Sequence, residues 1–338
     1  MLDCGRMRVT WAILMLLIIP LSIRSQQVTY APEFDGTNAM AHLIAQCDFG
    51  PRPPGSDNLS RCREYIVDIL ESHGWNTTLQ NFTYRDVSCA NIIAWYGPIR
   101  NATVILGAHY DTRPFADNDP DPANQSRPVL GANDGASGTA VLLEMARVLP
   151  IEVRDDVELV FFDAEDSGYI DGWEWIVGST YYVDQLTPSR VSYISSMILL
   201  DMIGDSGLRL QRESSSIRSL QDLIWSLAAE MGYQDTFLDS FGASILDDHK
   251  PFIDAGIPSV DIIHHNPFPA TWHTVDDIPE RCSAESLQIV GEVVETHLVT
   301  HSGMTIPFSP GFPVSYYVLI LGVVGVAALL VYGRLKKG

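Results

Sequence analysis

The 338-residue chain is poor in positive charge, with 21 Lys and Arg against 42 Asp and Glu and a formal net charge of −21. A surface of that sign repels a phosphate backbone, which excludes nucleic acid as a partner. It is compatible with attraction of cationic peptide N-termini. Cysteine is also scarce. Five occur, and four of them (Cys47, Cys62, Cys89 and Cys282) fall between residues 27 and 300. None lies in the segments that carry the chemistry below, which excludes a cysteine nucleophile. An even number outside the cell permits two disulfides in three connectivities, with four free buried thiols as the alternative. There is no internal repeat and no low-complexity tract. Residues 27–300 therefore read as one large domain, long enough for a full core.

What the chain does have is a series of short segments in which His, Asp or Glu stands at or just beyond the end of an apolar run. They are AHYDT (108–112), GANDGASG (131–138), FFDAED (161–166), LLDM (199–202), DDHKPF (247–252) and WHT (272–274). Together they supply His109, Asp134, Glu165, Asp166, Asp201, Asp247 and His273. Zinc takes imidazole nitrogen and carboxylate oxygen, and a catalytic site keeps one position open for substrate. A carboxylate that does not ligate the metal is then needed to move protons. Singly, each residue has an ordinary reading: Asp134 as a helix cap, Asp201 as a turn residue, His273 as a surface histidine. Their joint placement at successive strand ends points to a metal site.

The runs TVILGAH (103–109), VELVFFDA (157–164), SSMILLDM (195–202) and IPSVDII (257–263) read as buried strands. Helical patterns fall at about 138–149, 214–231 and 283–300, the first with Val141, Leu142, Met145, Val148 and Leu149 as its apolar stripe. The alternation predicts a three-layer α/β/α fold with a central mixed, mainly parallel sheet. In such sheets ligands gather beyond the carboxyl ends of the strands.

The order HYD, GANDGASG, DAED, LLDM and WHT resembles the co-catalytic zinc exopeptidases, the family of the aminopeptidases and glutaminyl-peptide cyclotransferases. The similarity covers about residues 32–300. It implies one zinc on Asp134, Asp166 and His273, and in the aminopeptidases a second on His109, Asp134 and Asp201. It implies Glu165 as the general acid/base. Position 166 is Asp where many members carry Glu. The stretches 109–124, 247–249 and 267–277 resemble the cyclotransferase branch. That branch implies one zinc, a proton-transfer role for Asp247, and aromatic walls from Trp272, Phe268 and one of Trp173 or Trp175. The expected activity is cyclisation of an N-terminal Gln to pyroglutamate with release of ammonia. The alternative is an aminopeptidase that removes N-terminal residues with water activated by the metal, and Asp201 is a further candidate base. A partner-binding relative that has lost its ligands is disfavoured, because every ligand position is filled.

The ends of the chain suggest a location. Residues 1–26 read as a signal peptide or signal anchor, with basic residues ahead of a short apolar run and no A-x-A site after it. Residues 301–313 read as a Pro-containing linker. The stretch 314–333 has no charge over 20 residues, long enough to span a bilayer. The basic tail 334–338 would remain cytoplasmic. The expectation is an enzyme at the cell membrane with an extracellular catalytic domain. Sequons at Asn58, Asn76, Asn81, Asn101 and Asn124 agree with exposure outside the cell.

Overall fold

A computed structural model describes residues 30–301. The expected leader, most of the linker, the apolar run 314–333 and the basic tail lie outside the described residues. No helix among the described residues is long and apolar enough to cross a membrane.

Eight strands run in chain order: β1 (Asn76–Tyr84), β2 (Val87–Trp95), β3 (Val104–His109), β4 (Val157–Phe162), β5 (Ser196–Asp201), β6 (Leu210–Arg212), β7 (Phe237–Phe241) and β8 (Ser259–Ile263). The helices are α1 (Gly36–Asp48), α2 (Asp57–Ser72), α3 (Ala136–Val148), α4 (Ile151–Arg154), α5 (Val177–Asp184), α6 (Pro188–Tyr193), α7 (Arg218–Glu230), α8 (Lys250–Asp254) and α9 (Ala284–His301). The main sheet has the order β1-β2-β4-β3-β5-β8. β4, β3, β5 and β8 are parallel, while β1 and β2 join antiparallel at one side. The sheet is therefore mixed and mainly parallel, as expected. β6 and β7 form a separate parallel pair.

Alternation along the strands builds two cores. Leu106, Ala108, Leu159, Phe161, Ile198, Leu200, Val260 and Ile262 face one side, where residues of α1, α2, α3, α7 and α9 cover them. Ile105, Val160, Phe162, Met197 and Leu199 face the other, against Tyr182 of α5 and Phe252 of α8. Both faces are dry, which is why these strands read as continuous apolar runs.

Two expectations need correction, on the helix from 214 and on the disulfides, and the ordinary reading of Asp134 as a helix cap falls away. The helix expected from 214 starts at Arg218, because the backbone N–H groups of Ser215 and Ser216 bond the Glu213 carboxylate instead of entering a helix. Gly135, not Asp134, precedes α3, and no side chain caps that helix. All four cysteines between residues 27 and 300 are free, and Cys47, Cys62 and Cys89 are buried. Of the sequons, Asn76, Asn81 and Asn101 are exposed, whereas Asn58 and Asn124 are half-buried.

Candidate active site

The strand ends place the functional side chains. His109 is the last residue of β3 and Asp201 the last of β5, while β4 runs into the turn that carries Glu165 and Asp166. Asp134 comes from the Gly-rich turn before α3. Two glycines let that turn sit against the sheet. Gly135 has φ +103° and a Cβ there would fall 2.3 Å from the Asp111 carbonyl oxygen. A Cβ on Gly138 would fall 2.1 Å from that of Leu200. Backbone strain marks the same region: Ala164, Met202 and His273 have φ of +60°, +44° and +56°. Non-glycine residues in this region cost about 1–3 kcal/mol each, so their surroundings must hold them.

Asp134 lies between two histidines. Its Oδ1 is 3.1 Å from His109 Nε2 and its Oδ2 is 3.6 Å from His273 Nε2. His109 Nε2 also lies 3.2 Å from Asp201 Oδ1, and His273 Nε2 lies 3.1 Å from Asp166 Oδ1. Two buried triads result, His109–Asp134–Asp201 and Asp134–Asp166–His273, each with its donor atoms within 4.8 Å of one another. The donor set of imidazole nitrogen and carboxylate oxygen suits zinc. Asp166 Oδ2 is buried without a hydrogen-bond partner. Asp134, Glu165, Asp166 and Asp201 are all buried. Buried carboxylates at such density are stable only when paired or bound to metal. The residues present fit a divalent cation.

Glu165 stands beside the triads and lines a cavity of about 250 Å³ with Asp134, Asp166, Asp201, Asp247, Trp175, Phe268, Trp272 and His273. Its sequence neighbours offered it no charge partner. The fold does, with His109 Nδ1 at 4.0 Å from Glu165 Oε2. Burial nevertheless pushes the Glu165 carboxyl well up, with Asp166, Asp247 and Asp248 adding to it against His109. Asp247 is pushed up to about 7 by burial and by Asp201, with His249 opposing. Asp163, at the strand end before Glu165, does not join the cavity lining. It pairs with Arg63 at 3.1 Å and accepts from the Ala90 N–H.

Aromatic rings wall the cavity. Trp272 stacks on His273 with centroids 3.9 Å apart, and Phe268 stacks on Trp272 at 4.3 Å. Of the two candidate tryptophans, Trp175 lies near-parallel to His273, while Trp173 packs on Tyr84 away from the cavity lining.

Sequence reasoning missed the supporting layer. Asp111 accepts from the N–H groups of both Glu165 and Asp166, at 3.1 and 3.2 Å. Asp277 does the same for Asn133 and Asp134, at 2.8 and 3.1 Å. Arg113 grips Asp117 through two nitrogens, and Asp117 Oδ1 stands 3.7 Å from His273 Nδ1. Arg113 also reaches Asp166 Oδ1 at 3.4 Å and lies over the Trp175 ring. Below Asp247, His249 is held between Glu213 at 3.2 Å and Asp261 at 3.5 Å. The signal for Asp111 was its place two residues after His109. The others act across long sequence separations and left none.

Fold and pocket together define an enzyme of the layered α/β class, with a carboxylate–histidine centre at its strand ends. The profile of peptidase family M28 matches residues 91–298, and the chain belongs to that family. It is 30% identical over 230 residues to aminopeptidase YwaD of Bacillus subtilis, a match that covers 64% of this chain and 46% of YwaD, about half of that relative's length. Its fold is similar to the glutaminyl cyclase of Bacteroides thetaiotaomicron, solved bound to N-acetylhistamine. That likeness has a TM-score of 0.72 at 35% identity and covers 79% of this chain and 98% of that one. A Zn-dependent exopeptidase from Parabacteroides distasonis is similar at 32% identity and TM-score 0.72, covering 80% and 99%.

Proposed function

We propose that the protein is a zinc-dependent glutaminyl-peptide cyclotransferase, with zinc held by Asp134, Asp166 and His273. The observation that carries this reading is Asp247. Two donor triads and one base account for His109, Asp134, Asp166, Asp201, His273 and Glu165. Asp247 is a further buried carboxyl in the cavity lining. Hydrolysis does not call for it. Cyclisation does, because the substrate α-amine must be uncharged to attack and its protons need places to reside. The likeness to the glutaminyl cyclase structure supports the same reading.

When bound, zinc supplies a Lewis acid for the γ-carboxamide oxygen of an N-terminal Gln. The protein's own groups do the rest. The α-nitrogen forms a bond to the side-chain carbonyl carbon, and its proton passes to Glu165. Glu165 returns that proton to the departing amide nitrogen as the C–N bond breaks, releasing ammonia. Asp247 and Asp201 hold protons beside it. Phe268 and Trp272 wall the cavity and keep the short chain folded toward itself, so that positioning supplies much of the rate.

One observation favours a second reading, hydrolysis by an aminopeptidase: His109, Asp134 and Asp201 form a second donor triad that shares Asp134 with the first. A paired assay decides. A Gln-initiated peptide is followed for ammonia and for loss of mass, and a Leu-initiated chromogenic amide for hydrolysis. Ammonia release without amide hydrolysis supports the cyclotransferase; the reverse supports the aminopeptidase. The charge-free run 314–333 with its basic tail supports a membrane-anchored enzyme whose catalytic domain faces outward, and the exposed sequons support glycosylation there.

A further inference from the structure

The two edges of the main sheet differ. β8 ends the sheet on one side, and the segment before α7 covers its outer edge. The Ile217 N–H donates to the Ser259 carbonyl at 2.8 Å, and the Asp261 N–H donates to Ser216 Oγ at 3.0 Å. β1 ends the sheet on the other side, and among the described residues its backbone bonds β2 alone. An uncovered edge offers free N–H and C=O groups to any other strand, and proteins blunt it with charge, proline, a bulge or a short strand. β1 uses none of these. Its nine residues, NTTLQNFTY, include no charged residue and no proline. All of them pair with β2 in unbroken register.

What β1 does carry is two N-glycosylation sequons, Asn76-Thr77-Thr78 and Asn81-Phe82-Thr83. Side chains alternate between the faces of a strand. Gln80 and Phe82 face α5: the Asn91 side chain bonds both Gln80 and the Gly178 carbonyl, and Phe82 stacks on Tyr181. Asn76 lies on that face. Thr77 faces α2, donating to Glu71 at 2.6 Å, and Asn81 lies on its face. The two asparagines thus flank one edge strand from opposite faces, and both are exposed. Asn76 Nδ2 donates to the Gly97 carbonyl at 2.8 Å, a bond that one remaining N–H can keep after modification. Asn58 and Asn124 are half-buried instead, their amide nitrogens turned to the Pro51 carbonyl and to Asp119.

We propose that Asn76 and Asn81 are N-glycosylated and that the two glycans, one on each face, shield the β1 edge from pairing with another strand. The proposal rests on the outward-facing reading above and adds to it the sites and their purpose. The donor is an oligosaccharide on a polyprenyl diphosphate. The asparagine Nδ2 bonds C1 of the sugar, the C1–O bond breaks, the lipid diphosphate leaves and one amide proton is released. A second strand would dock about 5 Å from β1, within the space that hydrated sugars on both faces fill.

The test expresses the full chain in a glycosylating secretory host and purifies it in mild detergent. Glycopeptide mass spectrometry is expected to find sugar on Asn76 and Asn81. Thr78→Ala/Thr83→Ala removes both sequons and keeps both asparagines, at two exposed positions. It is expected to lose the monodisperse peak on size exclusion and to bind thioflavin. Thr78→Ser/Thr83→Ser, which keeps both sequons, should behave as wild type. Thr78→Lys/Thr83→Lys lacks the glycans but charges the edge, and should stay monodisperse. Asn101→Gln removes a sequon outside β1 and should change nothing. An unchanged Tm in fresh protein excludes misfolding as the cause. Bare Asn76 and Asn81 in a chain that carries sugar at another sequon overturns the proposal and leaves the outward-facing reading standing. A chain without sugar at any sequon overturns both. An alanine pair that stays monodisperse overturns the shielding.

Discussion

Asp111 holds Glu165 by its backbone: one carboxylate oxygen accepts the Glu165 N–H at 3.1 Å while the other takes the N–H of Asp166 at 3.2 Å. The turn that presents both acidic residues is thus fixed by a side chain from the end of a neighbouring strand. Ala164, at φ +60°, shows why a clamp is needed there. Charge-assisted bonds of this kind contribute about 1.5–3 kcal/mol each. Asp111→Ala removes both. It is expected to lower kcat by at least about tenfold, since small displacements at a reacting centre cost that much or more. Steady-state kinetics with a thermal melt checks it. Near-normal kcat in a folded variant would show that the turn holds itself.

The proposed metal ligands make the second prediction. Asp134, Asp166 and His273 bring donor atoms within 4.8 Å of one another. His273→Ala is expected to abolish activity and lower zinc content while the fold survives, because the described core does not include His273. Asp166→Asn is expected to lose zinc before it loses structure. Chelation of the wild type should remove activity, and added zinc should restore it. Metal analysis beside circular dichroism separates these outcomes; full zinc content in His273→Ala would remove it from the ligand set.

A third prediction concerns the end of the chain. The apolar core among the described residues closes with α9, whose last core position is Leu298. No catalytic or binding residue assigned above lies beyond His273. Cutting the chain after residue 312 is expected to leave a soluble, active protein that no longer partitions with membranes. Aggregation or lost turnover would place the run 314–333 within the catalytic fold.

Much of this arrangement was legible from sequence, and the reason is burial. The four parallel strands are covered on both faces, so they read as unbroken apolar runs; His109, Glu165, Asp166 and Asp201 stand where those runs stop, while Asp134, Asp247 and His273 come from turns and loops. The β1–β2 hairpin was not legible. Its turn residues are Arg85 and Asp86, both at positive φ (+47° and +63°), where Gly or Asn would have announced a tight turn. β1 is largely exposed and rich in Thr, Asn and Gln, so it carries little apolar signal. The clamps from Asp117, Asp277 and Glu213 were hidden for another reason. Each works through contacts between segments distant in sequence, which only the folded chain brings together.

Glu165→Gln is the fourth test, because it separates the proton carrier from the metal. The substitution keeps size and hydrogen bonding but cannot accept a proton. Turnover should fall by about 10²–10⁴-fold, the usual contribution of a general acid–base group. Zinc should stay bound and KM should change little. If Glu165→Gln instead loses zinc, Glu165 is a ligand and its role is exchanged with that of Asp166. If turnover stays near normal, the carrier is Asp247 or Asp201.

The last prediction concerns Glu213, which is fully buried 3.2 Å from His249. Burial alone would raise its carboxyl. The hydrogen bond and charge of His249, with donors from Ser215 and Ser216, outweigh burial and hold it down at about 2, against 4.5 for the free group. A carboxyl depressed on folding stabilises the protein above its unfolded value, and that stability is lost as pH falls toward the folded one. The window therefore runs from about pH 4.5 down to about 2. Each unit corresponds to about 1.4 kcal/mol, so this group contributes about 3 kcal/mol at neutral pH. Glu213→Gln cannot titrate. Urea unfolding of zinc-free wild type and variant, compared across that window, is expected to show the wild-type advantage shrinking steadily as pH falls. Because other carboxyls titrate in both proteins, the difference isolates Glu213. A gap that stays constant with pH would mean that Glu213 is protonated in the folded protein and that His249 is held by Asp261 instead.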